Sequence, residues 1–212
     1  MIDAGRTAFL WCWALCMALV EIEIEGSRGW ALGLPTWYRT RGPAGRLYGI
    51  LSPGRPLSGY HLFMVPLPIL GLHYPFVAGV DWTLAREAGT IAVFLAWVIC
   101  WDYLWFVLSP FYGVARFRRG AVWWYPGPWV GRLPLDYFVA VGASFAVAAL
   151  PLAWGAGDET LVSQAWLVLG LAVLTVAAIA VAPLYRRWYA HMRRRDLDDR
   201  PEVLRRAGVA DD

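Results

Sequence analysis

Hydrophobic residues in this chain are gathered into long segments that contain no charged residue. Three of these segments are 21 to 26 residues long, at 56–80, 137–157 and 160–185. Each reaches the roughly 18–20 residues that a helix needs to cross a bilayer. Two shorter segments, at 7–20 and 88–101, are followed by Glu21 and Asp102. They are long enough to cross a bilayer only if these two carboxylates lie at the membrane or inside it. The pattern predicts a protein that crosses a membrane several times.

The predicted fold is all-α, a polytopic membrane helical bundle with about five transmembrane helices. These helices are expected at about 7–24, 61–80, 89–108, 136–154 and 161–183. The second contains three prolines, which remove backbone donors and predict a bend. Residues 1–185 then form the bundle, and residues 186–212 form a charged tail.

Composition and charge support this class and add an orientation. Hydrophobic residues make up 59% of the chain and charged residues 17%, against roughly 45–50% and about 25% in soluble domains. All 19 basic residues are arginines, and 17 of them lie in 26–60, 109–135 and 184–212, which fall on one side of a five-helix topology. The positive-inside rule makes that side cytoplasmic. We expect a multi-pass protein of the inner (plasma) membrane, with the N-terminus outside, the C-terminus in the cytoplasm and no nucleic-acid partner.

Four ionisable residues are predicted to meet at the cytoplasmic leaflet. Glu21 and Glu25 end the first helix and share one face because they are four residues apart. His61 begins the second helix, and Asp102 lies in the third about 9 Å from its inner end. Ionisable groups at membrane depth are costly, which makes them candidates for function.

Carboxylates with one imidazole form a ligand set for a divalent metal ion, and helical bundles build such sites from inward-facing side chains. The sequence thus offers Glu21, Glu25, His61 and Asp102 as metal ligands, while it identifies no catalytic residue and no other cofactor. The alternative interpretation is that these glutamates lie at the membrane interface. They would then pair with arginines of the loop that follows, namely Arg28, Arg39, Arg41 or Arg46.

Three functional hypotheses follow. The first is an enzyme-like polar or metal pocket at the cytoplasmic leaflet that acts on a lipid-like substrate, covered by the loop 26–60. The second is a small transporter or permeation subunit, in which Asp102 and His73 mark a polar path. The third is a non-catalytic scaffold whose arginine-rich tail recruits a partner. No catalytic signature in the sequence decides the reaction type.

Several motifs together resemble an uncharacterised family of small multi-pass prokaryotic membrane proteins with no established activity. The motifs are EIEIEG at 21–26, GWA at 29–31, LPTW at 34–37, GYH at 59–61 and DYLWFVLSPFYG at 102–113. The resemblance covers about residues 10–137 and implies a multi-pass membrane fold without implying a chemistry. Members of that family often carry asparagine and histidine where this chain has Ser109 and Tyr125. A metal ligand contributed by that histidine would be missing here.

Overall fold

The protein is 71% helical with almost no strand. The computed structural model describes residues 4–207, and among these the side chains of residues 4–50 and 52–195. The helices are α1 (Ala4–Glu25), α2 (Gly42–Leu51), α3 (Gly59–Met64), α4 (Pro66–Val77), α5 (Leu84–Leu108), α6 (Gly113–Arg116), α7 (Leu135–Ala149) and α8 (Glu159–Ala207). A short 3-10 helix, Leu150–Trp154, follows α7. Two antiparallel pairs of two-residue strands complete the structure: β1 (Tyr38–Arg39) with β2 (Leu57–Ser58), and β3 (Trp129–Val130) with β4 (Leu133–Pro134). The predicted all-α fold is confirmed.

Within the described part of the chain, four helical segments are long and apolar enough to cross a membrane. They are Ala4–Glu25, Leu84–Leu108, Leu135–Trp154 and Glu159–Arg195. Their bounds agree with the first, third, fourth and fifth predicted spans to within a few residues, apart from the last, which extends well beyond residue 183. The chain is therefore a helical membrane protein.

The second predicted span, 61–80, is not a single helix. It is divided into α3 and α4, with Val65 between them. Pro66 has no N–H to donate to the preceding turn, and Pro68 follows two residues later, so the helical hydrogen bonding is interrupted. The prolines thus do more than bend this segment, because they leave two helices that are each too short to cross a bilayer alone.

Helix α5 lies at the centre of the bundle and packs against α1, α7 and α8. Trp97, Trp101 and Trp105 form a stripe along α5 and are each at most 5% exposed. The indole N–H of Trp97 donates to the backbone oxygen of Leu10 on α1 at 2.7 Å. The four-residue spacing of these tryptophans indicated a packing stripe, and the structure confirms it.

Two long loops, which we call the first loop (26–60) and the second loop (109–135), lie at the end of the bundle where α1 and α5 terminate. We call this end the site end. They contact each other: Trp123 of the second loop donates to the backbone oxygen of Arg28, and Arg55 of the first donates to that of Trp124. Beyond the bundle, α8 continues without a break through the predicted charged tail as far as Ala207. Residues 1–3 and 208–212 lie outside the described part of the chain.

Candidate functional site

Two carboxylates and one imidazole come together at the site end. Glu21, Glu25 and His61 each offer one potential ligand atom, and these atoms lie within 4.8 Å of one another. Glu25 and His61 are only 6% and 7% exposed. Within the residues described, this is the one group of three or more His, Cys, Asp or Glu side chains with the spacing of a metal site.

The periodicity of α1 explains why its two glutamates are turned inward. The buried residues of this helix follow one stripe, Leu10, Ala14, Ala18, Ile22 and Glu25. The steps of three and four residues keep this stripe on the face that packs against α5. Glu21 lies three residues after Ala18 and one turn before Glu25, so it belongs to the edge of the same face.

A tight left-handed turn after α1 holds the carboxylate of Glu25. The backbone φ angle is positive at Gly29, Trp30 and Ala31, at 64°, 47° and 56°. This turn brings the Ala31 N–H back to Glu25, and it donates to Oε1 at 2.5 Å. Positive φ angles are uncommon for residues other than glycine, and they persist where the surrounding structure imposes them. Backbone N–H groups of the turn thus hold the Glu25 carboxylate in place.

His61 is oriented by contacts on its edge and on its face. Ser58, the N-cap residue of α3, is fully buried, and its Oγ accepts from the backbone N–H of His61 at 3.2 Å. The same Oγ forms a 2.7 Å hydrogen bond with Nδ1 of the ring. Trp30 stacks on the ring face with a centroid separation of 4.1 Å. When Nδ1 carries the hydrogen and donates to Ser58, Nε2 has a free lone pair that can bind a metal.

Asp102 faces the same cavity but does not belong to the three-residue group. Its Oδ2 accepts hydrogen bonds from the hydroxyls of Tyr125, at 2.8 Å, and of Tyr137. Asp102 therefore lies near Glu21, Glu25 and His61, as the sequence predicted. One oxygen of its carboxylate, however, already accepts hydrogen bonds from two tyrosine hydroxyls. Burial, followed by the negative charge of Asp102, raises the pKa of Tyr125 well above its ordinary value, which keeps its hydroxyl a donor.

A cavity of about 470 Å³ joins these groups. This size lies within the range of small-molecule sites. Its wall combines polar residues at the site end with apolar residues of α5 that continue towards the bundle centre. The lining residues are Glu21, Trp30, Tyr48, Ser52, Arg55, His61, Val65, Phe94, Leu95, Val98, Ile99, Trp101, Asp102 and Tyr125. The first loop contributes several of these residues, as expected for a segment that covers the polar cluster.

Arg55 is the cation of this cavity, and the sequence did not distinguish it from the other arginines. Its side chain is 11% exposed, and its Nη2 lies 3.1 Å from Oδ2 of Asp136. Nε donates to the backbone oxygen of Trp124 at 2.8 Å. The guanidinium also lies over the rings of Tyr125, at 4.0 Å, and Trp30, at 5.1 Å. No local pattern could reveal these contacts, because they join segments 69 and 81 residues apart.

The interfacial alternative for the glutamates receives no support from the ion pairs among the described side chains, those of residues 4–50 and 52–195. The two salt bridges found there join Arg55 with Asp136 and His73 with Glu87. Glu21 instead accepts from the hydroxyl of Tyr60 at 3.3 Å.

His73 lies apart from the cavity. Its Nε2 is 3.0 Å from Oε1 of Glu87, near the start of α5, and its Nδ1 is 2.7 Å from the backbone oxygen of Ile69. The side chain is 35% exposed, so His73 is hydrogen-bonded but does not lie in the bundle interior. A polar path from Asp102 to His73 stays a hypothesis from the sequence.

Comparison with known proteins gives no assignment. The chain matches no protein-family model, and no curated protein or solved structure is significantly similar to it. The resemblance drawn from the sequence motifs stays a prediction.

Proposed function

We propose that this membrane protein binds a divalent metal ion through Glu21, Glu25 and His61 and acts as an enzyme-like pocket on a lipid-like substrate. The observation that carries the proposal is the close approach of three potential ligand atoms, all within 4.8 Å of one another, on the buried Glu25 and His61 and the half-buried Glu21. They come from α1 and from α3, whose ligands are separated by at least 36 residues in the chain. Two carboxylates and an imidazole suit a hard or borderline ion such as Mn²⁺, Fe²⁺ or Zn²⁺.

The charges around the cavity favour a cation. Three carboxylates, those of Glu21, Glu25 and Asp102, face one guanidinium, that of Arg55. Buried charges are costly unless they are compensated. A divalent ion would compensate the two glutamates directly, whereas Arg55 is already paired with Asp136.

The surroundings of the ligands are those of a supported metal site. Ligating histidines commonly donate their second ring nitrogen to an oxygen acceptor, which fixes the ring. The hydroxyl of Ser58 is hydrogen-bonded to Nδ1 of His61 and can act as this acceptor. The backbone N–H of Ala31 likewise holds the carboxylate of Glu25. Three protein ligands leave coordination positions open, which is the arrangement of catalytic rather than structural sites.

Asp102 is the candidate acid or base of this pocket. It lines the cavity, and the hydroxyls of Tyr125 and Tyr137 fix its Oδ2. A bound divalent ion supplies Lewis acidity to a substrate oxygen or activates a water molecule. Asp102 would then exchange the proton, so we place it next to the metal rather than among the ligands.

The polar and apolar residues that line the cavity indicate the class of substrate. Phe94, Leu95 and Val98 extend the cavity along α5 away from the polar end, and this helix is one of those that can span the membrane. From Phe94 to Asp102 the helix rises about 12 Å. An amphiphile fits such a cavity, with its polar end near the metal ligands and its apolar part along α5.

The distribution of arginines supports an orientation for the site. The loops that form the site end and the C-terminal segment carry 17 of the 19 arginines. By the positive-inside rule, we place the cavity at the cytoplasmic leaflet of the plasma membrane, with the N-terminus outside.

Metal content tests this proposal. The detergent-purified protein is incubated with Mn²⁺ or Zn²⁺, washed with a weak chelator, and analysed by inductively coupled plasma mass spectrometry. We expect near-stoichiometric metal in the wild type and a loss in Glu21→Gln and His61→Gln. Glu23→Gln is the matched control, because Glu23 lies on the same helix with an exposed side chain. Absence of metal from the wild type, or equal metal in all four proteins, would reject the site.

A further inference from the structure

Several hydrogen-bond donors line the same cavity as the proposed metal ligands. Arg55, Tyr48, Ser52 and Trp101 all line the cavity that contains Glu21 and His61. Burial raises the pKa of Tyr48, so its hydroxyl keeps its proton at neutral pH. Together with a bound metal ion, these donors would suit a ligand that presents several acceptor oxygens.

Arg55 has unused donors and a fixed orientation. A guanidinium carries five N–H groups, and the backbone oxygen of Trp124 and the carboxylate of Asp136 account for two of them. The rings of Trp30 and Tyr125 lie over the guanidinium, so the remaining N–H groups have little freedom to reorient. A planar fork held in this way is well suited to phosphate, which it can contact with two hydrogen bonds at once.

The indole N–H of Trp101 is a second, independent indication of a polar ligand. Trp101 is 5% exposed, and its Nε1 has no hydrogen-bond partner of good geometry among the residues described. It approaches the carboxylate of Glu21 without completing a hydrogen bond. The indole N–H of Trp105 also lacks a partner of good geometry, but only Trp101 lines the cavity, where its N–H can donate to an acceptor that a ligand supplies.

We propose that the cavity binds the phosphate group of an amphiphile, with Arg55, Tyr48 and Trp101 donating to its oxygens and the hydrocarbon chain lying along Phe94, Leu95 and Val98. The inference rests on the proposed function, because the metal ion at Glu21, Glu25 and His61 contacts the same phosphate. Divalent ions and arginines act together on phosphate groups because both neutralise its charge. The apolar wall then favours a phosphorylated lipid over free phosphate.

Calorimetric titration of the metal-loaded protein with octyl phosphate, inorganic phosphate and octanoate tests this inference. Metal content is measured first on every sample. We expect octyl phosphate to bind at least about tenfold more tightly than either of the other two, because they lack the chain or the phosphate, and about 1.4 kcal/mol corresponds to that factor. Arg55→Gln is expected to lose about tenfold or more in affinity for octyl phosphate, and Trp101→Phe several-fold.

Asp136→Asn is the matched control. It breaks the same salt bridge as Arg55→Gln but leaves the guanidinium in place, so its affinity is expected to stay within about twofold of the wild type. Equal losses in Arg55→Gln and Asp136→Asn would show that Arg55 only supports the loop, and would overturn the inference. If Arg55→Gln does not fold, the test rests on Trp101→Phe. An affinity of Trp101→Phe for octyl phosphate equal to that of the wild type would overturn the inference.

The ligand series separates the remaining outcomes. Equal affinity for inorganic phosphate would contradict a lipid ligand, and equal affinity for octanoate would contradict a phosphate group. A wild type that is loaded with metal but binds no octyl phosphate overturns this inference and leaves the proposed function intact. A wild type that takes up no metal rejects both.

Discussion

Replacing Ser58 with alanine removes the hydroxyl that holds His61, without touching a proposed ligand. The Ser58 side chain is fully buried and makes two hydrogen bonds with His61, one to the backbone N–H at 3.2 Å and one to Nδ1 at 2.7 Å. The first is an N-cap, and its loss destabilises a helix start by about 0.5–2 kcal/mol. The second fixes the orientation of the ring and, when Nδ1 is the donor, leaves Nε2 free to bind a metal.

Metal binding is expected to weaken in addition to this loss of folding stability. Loss of a partner that orients a metal-binding histidine lowers metal affinity about 10- to 100-fold, which corresponds to about 1.4–2.7 kcal/mol. Titration of the metal-free protein with Mn²⁺ in detergent measures this affinity. Ser27→Ala is the matched control, because Ser27 is exposed in the loop that follows α1. A Ser58→Ala protein that folds and binds Mn²⁺ as tightly as the control would refute the role given to His61.

Three further predictions concern the surroundings of the site. Gly29→Ala adds a methyl group at a left-handed residue (φ 64°), 2.3 Å from the ring of Trp124; strain and overpacking should destabilise the protein by about 2–5 kcal/mol, measured as a lower melting temperature in detergent. Tyr137→Phe removes a hydrogen-bond donor from Asp102 and should lower the free energy of unfolding by about 1–3 kcal/mol. A double-mutant cycle measures the same substitution in an Asp102→Asn protein, where the loss of unfolding free energy should differ. An equal loss in both proteins would contradict the hydrogen bond between Tyr137 and Asp102. His73→Gln should leave metal stoichiometry unaltered, because His73 lies apart from the cavity; a loss of metal would contradict this placement.

Much of the bundle could be predicted because long apolar segments in a membrane have few alternatives to a helix. The same reasoning placed Glu21 and Glu25 on one face and brought His61 to the same end, and the structure brings these three residues together. Their positions depend on helical periodicity and on the order of the helices, and both can be read from the chain.

The second predicted span shows where the pattern was insufficient. Hydropathy over 61–80 shows that the segment is apolar, but it does not show where the helix breaks. The break at Val65 is decided by Pro66, which cannot supply the N–H that would continue α3. His61 therefore belongs to a short helix capped by Ser58 rather than to the end of a long one.

The polar surroundings of the cavity were beyond the sequence for a different reason. Arg55 is one of five arginines in its loop, and only its contacts with Trp124 and Asp136 single it out. Tyr125 and Tyr137 become partners of Asp102 through the packing of the second loop and α7 against α5. Such pairings depend on loop conformations that local composition does not determine.

The central claim is that a divalent ion is coordinated by His61 together with Glu21 and Glu25. Electron spin-echo spectroscopy of the Mn²⁺-loaded protein tests it directly, because a coordinated imidazole nitrogen modulates the echo. We predict a ¹⁴N modulation from one histidine in the wild type and in Glu23→Gln, and its loss in His61→Gln. A wild-type protein that binds no Mn²⁺, or whose ¹⁴N modulation persists in His61→Gln, would contradict the account.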